Sequence, residues 1–250
     1  MSEFSGKTAL VTGSASGIGA ACARWLDARG IGRLVLVDRD REKLETLELG
    51  CDCDRIVGDV TEETLWDRLQ SEIVSLDHAV LNAGIAGGGP LAETSLAEWR
   101  RVMSINLDGM FLSLRTAVRR MTEGGAIVLT ASVAGLKTEP GNGPYGVTKA
   151  GVIHLAKAAA KEGAAKGIRV NAIAPGGVDT AIWDDLDFFR GLVTQTGSRE
   201  AAIAAMGKGA SPLGRFATVD EIAAQVGFLL SDVGTTITGT VLVSDGGYLL

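Results

Sequence analysis

Thr8-Ala-Leu-Val-Thr12-Gly-Ser-Ala-Ser-Gly-Ile-Gly19 is an apolar run followed by a turn with glycines at 13, 17 and 19, and it leads into an alanine-rich helical pattern reaching about Arg29. The order is strand, glycine turn, helix. Such a turn lets a phosphate-bearing ligand approach the backbone closely and rest on the helix N-terminus, where N–H groups lack partners. The spacing is G-x-x-x-G-x-G rather than the more familiar G-x-G-x-x-G, and a tight turn that binds nothing would use the same glycines.

Moving outward, the same alternation repeats. Leu34-Val-Leu-Val-Asp38 is a second apolar run, and Arg55-Ile-Val-Gly-Asp59-Val60 reads as a third strand ending in an acid. Glu62 to Val74 is helical by pattern, and His78-Ala-Val-Leu-Asn82-Ala-Gly84 is a fourth strand with a small polar turn. Trp99 to Met121 is a long amphipathic helix interrupted by Asn106 and Asp108, residues that compete for backbone hydrogen bonds. Ala126-Ile-Val-Leu-Thr130 is a fifth strand delivering Ser132, and a loop from Gly135 to Pro144 enters an alanine-rich helix running from Tyr145 to about Gly167. A sixth strand, Ile168 to Ile173, ends in Pro175-Gly-Gly-Val-Asp-Thr180. Residues 181–215 read as a long irregular stretch of mixed aromatic and acidic residues, as in a lid, or else as a helical pair used in subunit packing. Val219 to Leu230 is helical, and Thr240-Val-Leu-Val243 is the last strand before Asp245-Gly-Gly247. Strands alternating with helices imply an α/β fold: one domain over residues 1–250, a doubly wound parallel sheet of about seven strands with helices on both faces.

Within that frame, Tyr145-Gly-Val-Thr-Lys149 can carry chemistry. On a helix the two side chains share a face one turn apart. A fixed cation favours a phenolate, which would let Tyr145 exchange protons nearer neutral pH than its ordinary value of about 10. A half-buried Tyr with a solvated Lys is the bland reading of the same pair. Asp38 falls about 20 residues after the glycine turn, where a carboxylate accepts hydrogen bonds from an adenosine ribose. It would repel a 2′-phosphate, with Arg39 partly offsetting that, so NAD is expected over NADP. Alternatively, Asp38 could simply cap the next helix.

Composition removes other classes. The 250 residues include 34 glycines and carry a formal charge of −6, with no basic cluster to bind nucleic acid and no apolar run long enough for a bilayer. Residues 1–6 lack a signal-peptide layout, so a cytoplasmic location is expected. Cys22, Cys51 and Cys53 form no C-x-x-C and only His78 and His154 are present, so neither a disulfide framework nor a metal site is expected. His78 reads as a packed or rim residue, and His154 as a packing or interface residue.

Taken together, these motifs resemble the short-chain dehydrogenase/reductase family from Lys7 to Gly247. The glycine turn, Asp59-Val60, Asn82-Ala-Gly84, Ile105-Asn-Leu107, Ser132, Tyr145-x-x-x-Lys149, Asn171, Pro175-Gly176 and Asp245-Gly-Gly247 fall in the family's order. The resemblance implies a Rossmann-like fold and hydride transfer between NAD(H) and a secondary alcohol or ketone. It also implies catalytic roles for Tyr145 as acid/base, Lys149 as its activator, Ser132 as donor to the substrate oxygen and Asn106 in a proton relay. Cofactor positions implied are Gly13, Ser16, Gly17, Ile18, Gly19, Asp38, Arg39, Asp59, Val60, Asn82, Ala83, Gly84, Pro175, Gly176, Val178 and Thr180, together with Tyr145 and Lys149. A homotetramer is implied, and the apolar Tyr248-Leu-Leu250 end is expected to be buried. Trp183, Phe188, Phe189, Ile85, Ala134 and Leu136 point to a largely apolar small-molecule substrate. Two other readings stand beside this: a 3-oxoacyl carrier protein reductase, disfavoured by Asp38, and a non-catalytic NAD-binding sensor.

Overall fold

The central strand runs are apolar at successive positions because helices cover both faces of the sheet. In the computed structural model, which describes residues 3–250, the strands are β1 (Thr8–Thr12), β2 (Arg33–Asp38), β3 (Asp52–Val57), β4 (His78–Leu81), β5 (Ala126–Thr130), β6 (Arg169–Pro175) and β7 (Val241–Ser244). All pairings are parallel, in the order β3-β2-β1-β4-β5-β6-β7. The helices are α1 (Gly17–Asp27), α2 (Arg41–Glu45), α3 (Glu63–Glu72), α4 (Leu96–Met103), α5 (Gly109–Arg120), α6 (Gly143–Gly163), α7 (Asp187–Thr196), α8 (Arg199–Ala210) and α9 (Val219–Leu230).

Side chains alternate between two cores. Leu10, Val35, Val37, Leu81, Ile127 and Leu129 face α3, α5 and α6. Ala9, Val11, Leu34, Leu36, Val80 and Val128 face α1 and α9. A Cβ on Gly227 of α9 would lie 2.1 Å from the Trp25 ring of α1, so the missing side chain allows these two helices to pack ring against backbone. Because strand order reverses between β1 and β4, a crevice opens at their C-terminal ends.

Several expected boundaries move. The third strand begins earlier, at Asp52, and stops at Val57, so Asp59 stands in the turn beyond it. The Trp99–Met121 helix starts at Leu96, and its central Ser104–Asp108 turn is a π-helix joining α4 to α5. The 181–215 stretch is not irregular: it holds α7 and α8, packed on each other around Phe189, Ala202 and Ile203. At the other end of the chain, Leu250 is fully exposed rather than buried. His154 is exposed on α6.

His78 opens β4 and is buried, its ring edge-on to Phe4 with centroids 5.3 Å apart. Neither ring nitrogen has a hydrogen-bond partner. Burial, reinforced by the Lys7 charge, pushes its pKa down to about 4, with Asp77 and Asp232 opposing and Arg169 adding to the shift. Between about 4 and 6.5 the unfolded chain therefore binds the extra proton, and stability falls as pH drops through that window. The loss is on the order of 3 kcal/mol. His78→Leu should flatten this limb of a urea-midpoint profile measured against pH. An unchanged slope would remove His78 as its source.

Candidate active site

The C-terminal ends of the strands gather the motif residues. Thr12, the last residue of β1, is buried, and its Oγ1 accepts hydrogen bonds from the backbone N–H groups of Asn82 (2.9 Å) and Ala83 (3.1 Å). That bond fixes the end of β4 beside the glycine turn. Gly13 and Gly17 have φ of +64° and +53°, which a side chain would strain. Gly19 serves differently: its Cβ would stand 2.0 Å from the carbonyl oxygen of Gly13. Ser16 precedes α1 without a side-chain cap, and the helix carries no acid in its first turn, so its N–H groups and dipole suit an anion. The Thr180 methyl lies 3.4 Å from where a Gly17 Cβ would be, which brings the segment after β6 to the same turn.

Asp38 ends β2, and its carboxylate accepts from the backbone N–H of Ala15 and of Asp40, each at 2.9 Å. The N-cap of α2 is Asp40, not Asp38. Asp38 is thus anchored against the glycine turn, with Arg39 exposed beside it. Asp59 turns its carboxylate back on Thr61, while the Val60 carbonyl accepts from the Trp66 indole at 2.8 Å. Gly176 backs onto Asp245 so closely that a Cβ would lie 2.9 Å from its Cα, and the Val178 carbonyl accepts from the Trp183 indole. Ile18 packs on the α1-side core, and Pro175 ends β6 against Ser244.

On the other half of the crevice, Ser132 follows β5 and caps the short 3-10 turn Val133–Gly135. This turn lies directly on α6, where a Cβ on Gly135 would meet the Lys149 carbonyl carbon at 2.6 Å and one on Gly146 the Ala134 oxygen at 2.9 Å. Only small residues permit that approach, and it brings Ser132 into hydrogen-bond reach of Tyr145. Lys149 is buried one turn along α6, its Nζ donating to the Thr130 carbonyl at 2.8 Å and lying 5.5 Å from the centre of the Tyr145 ring.

Asn106 sits fully buried in the π turn. Its Oδ1 accepts from the Ile85 N–H (2.8 Å), and its Nδ2 donates to the Ile85 carbonyl (2.9 Å) and to Thr148 Oγ1 (3.4 Å). Thr148 Oγ1 in turn donates to the Tyr145 carbonyl at 2.7 Å. A Cβ on Gly84 would fall 3.3 Å from Asn106 Oδ1 and 3.5 Å from Lys149 Nζ, so the turn after β4 touches both. Thr12, Ile85 and Thr148 complete this network. Thr12 and Thr148 were not singled out in the sequence, although both lie inside motifs already marked, and Ile85 was marked only for its apolar side chain, whereas its backbone is what Asn106 binds.

Electrostatically, burial dominates. It raises the Tyr145 phenol above its ordinary value, with the Ser132 hydrogen bond pulling the other way, and it lowers Lys149 to about 8. The expected lowering of Tyr145 is therefore absent in the isolated chain, because both charged forms lose solvent at once. Among the described residues no group of three His, Cys, Asp or Glu is placed to hold a metal, and no helix is long and apolar enough to cross a membrane.

A family model described as Enoyl-(Acyl carrier protein) reductase matches residues 13–249. The chain is 39% identical to a cis-4-hydroxycyclohexanecarboxylate dehydrogenase of Sinomonas cyclohexanicum, covering 98% of this chain and 97% of that one. A crystal structure of a short-chain type dehydrogenase/reductase from Mycobacterium marinum matches with a TM-score of 0.84 at 31% identity, over 98% of this chain and 96% of that one. The chain belongs to the short-chain dehydrogenase/reductase family. Other family members similar to it are a D-threitol dehydrogenase of Mycolicibacterium smegmatis, 38% identical over 99% of this chain and 95% of the relative, and a 3-oxoacyl-[acyl-carrier-protein] reductase of Thermotoga maritima, 33% identical over 99% and 100%. As a family member it is an oxidoreductase, and the family's dehydrogenases use nicotinamide cofactors.

Lys149 gives the site a stability signature. Its folded pKa of about 8 lies below the ordinary 10.5, so the unfolded chain binds more protons between those values and stability rises with pH through that window. Lys149→Met should abolish this rise and be at least as stable as the wild type at neutral pH, measured by urea unfolding. A less stable variant would mean that the bond to Thr130 outweighs the desolvation of the ammonium.

Proposed function

We propose that the protein is an NAD-dependent dehydrogenase that interconverts a secondary alcohol and its ketone, with Tyr145 as the acid/base. The observation that carries this reading is the convergence of Tyr145, Ser132, Lys149 and Asn106 at the C-terminal edge of β4 and β5, on one side of an uncapped helix N-terminus with tight glycine contacts. The cradle of Gly13, Gly17 and Gly19 with the open N–H groups of α1 fits a dinucleotide's pyrophosphate. Asp38 would accept from the adenosine ribose and disfavour a 2′-phosphate. Ser16, Ile18, Arg39, Asp59, Val60, Asn82, Ala83, Gly84, Pro175, Gly176, Val178 and Thr180 would line the remainder, and Lys149 would hold the nicotinamide ribose. When bound, the nicotinamide supplies the hydride acceptor or donor.

The chain's own residues then handle the proton and the charge. Tyr145 takes the hydroxyl proton of the alcohol, or returns it to the ketone oxygen. Ser132 donates a hydrogen bond to that oxygen as charge develops on it. The Lys149 ammonium, when charged, would favour the phenolate, and so would work against the burial that raises Tyr145. Asn106 holds the turn after β4 and the start of α6 in register, and would serve the family's proton relay.

Leu91, Leu136, Ile182 and Phe188 are exposed apolar side chains on the loops and helical pair at this end of the sheet. With relatives named for hydroxycyclohexanecarboxylate, dichlorocyclohexadiene-diol and 3β-hydroxysteroid, they favour a cyclic, largely apolar secondary alcohol. Arg199 ties the pair formed by α7 and α8 to Asp179, Asp184 and the Thr180 carbonyl, which supports residues 181–215 as a substrate-binding lid held beside the segment after β6. The reaction is tested by following NADH formation across aliphatic, alicyclic and aryl secondary alcohols, with NADP in parallel. Turnover of an alicyclic alcohol, rising with pH and lost by at least about a hundredfold in Tyr145→Phe, is expected. Asp38→Ala should shift the cofactor preference toward NADP. Equal turnover in Tyr145→Phe, or an unchanged cofactor ratio in Asp38→Ala, would sink the respective assignment.

The assembly we propose is a cytoplasmic homotetramer. Phe111 on α5, Val147 on α6 and Val243 on β7 are exposed in the single chain, and each is an apolar residue on an element the assembly would bury. Light scattering should give four times the chain mass, and the mass of one chain would refute it.

A further inference from the structure

Beyond the hydride chemistry, two thiols at the opposite end of β3 stand together. Cys53 is in β3 opposite Leu34, near the strand's start, whereas the candidate site gathers at the strands' C-terminal ends. Cys51 lies just before the strand, and both side chains are partly exposed. Their sulfur atoms are 3.8 Å apart, and Cys53 Sγ also donates to the Cys51 carbonyl at 3.3 Å. Strand β3 is the outer strand of the sheet, so one of its edges has no neighbouring strand.

The proximity is built rather than incidental. The Asp27 carboxylate, at the end of α1, accepts from the N–H groups of Gly50 and Cys51, each at 2.9 Å, and bends the chain at Cys51 into the strand. Residues two apart in a strand then point to one face. Cys22, by contrast, is buried within α1 with its thiol pushed up to about 12, and takes no part.

We propose that Cys51 and Cys53 form an oxidative modification site, closing to an intrachain disulfide on reaction with a small-molecule disulfide. The Cys53 thiolate attacks one sulfur of the reagent, forming a mixed disulfide and expelling one thiolate. Cys51 then loses its proton and attacks the Cys53 sulfur, forming the Cys51–Cys53 bond and expelling the second thiolate. Two protein thiols are oxidised by two electrons, and one disulfide is reduced to two thiols that take up the two protons.

Cys53 is the first nucleophile because the Cys51 hydrogen bond and Arg55 counter the burial that raises its thiol, whereas Cys51 is pushed up to about 12 by burial, Cys53 and Asp27 together. The charged groups facing the pair are Asp27 on α1 and Asp52 and Arg55 on β3. The reaction therefore quickens with pH as thiolate forms. Closing the sulfurs from 3.8 Å to the bonded distance of about 2.05 Å within so short a ring strains the bond, and strained disulfides are the readily reduced ones.

The full chain is incubated with oxidised glutathione at mildly alkaline pH, blocked with N-ethylmaleimide and digested with trypsin. The peptide Leu44–Arg55 contains both residues. It is expected to be lighter by two hydrogens than the dithiol, unlabelled, and returned to the dithiol by mild dithiothreitol. Cys51→Ser should stop at a single glutathione on Cys53. Two maleimide labels on the wild-type peptide, a separate glutathione on each cysteine, or a disulfide joining two chains would overturn the proposal. None of these outcomes bears on Tyr145, so the dehydrogenase reading stands or falls separately.

Discussion

Backbone packed against backbone, with no side chain between, is the constraint on which the crevice depends. Gly19 sits over the Gly13 carbonyl, Gly135 over the backbone at Lys149, and Gly84 beside both Asn106 and Lys149. At Gly19 and Gly135 the contact excludes a methyl group by sterics alone, and at Gly84 the fit against the two side chains is close. Together they draw the first turns of α1 and α6 inward to the strand ends, where N–H groups and the Tyr145 phenol can act on one volume. A looser version of the same sheet would keep its two hydrophobic cores and lose the site.

That closeness has an electrostatic cost. Burying Lys149 lowers its pKa, and burying Tyr145 raises its own, so each charged form is disfavoured before any ligand contributes. The ammonium is held by one hydrogen bond, to the Thr130 carbonyl, and the Ser132 hydroxyl partly offsets the burial of the phenol. Stability and chemistry therefore pull in opposite directions here, as is usual where titrating groups are held ready.

The sheet was legible in the sequence because covered parallel strands write themselves as apolar runs; the edge strand β3, largely polar and partly exposed at Asp52–Val57, is the one whose run shows too late, from Arg55. Many motif positions were legible for the same reason: Gly13, Asp59, Asn82, Ser132 and Gly176 lie just past a strand end. What could not be read was anything decided by packing between distant segments. The π turn at Asn106 depends on Ile85 and Thr148, which are 21 and 42 residues away. Residues 181–215 mix aromatic and acidic side chains without a clear helical stripe, because Phe189, Ala202 and Ile203 bury against one another rather than against the main core. The pairing of Cys51 with Cys53 is set by Asp27, which no local pattern reveals.

The π turn has a further meaning. Each helical residue advances the chain by about 100°, so one extra residue in a turn rotates everything after it by that angle relative to everything before. Residues α4 and α5 are in this sense one rod with a phase step at Ser104–Asp108. Ahead of the step the rod packs against the loop after β4 through Glu98, Arg101 and Val102; beyond it Met110, Leu114 and Ala117 enter the sheet core. A uniform helix of the same sequence could satisfy one of these surfaces but not both. The step lets a single rod serve as a wall of the core at one end and a support of the crevice at the other, with Asn106 at the point where the two phases meet.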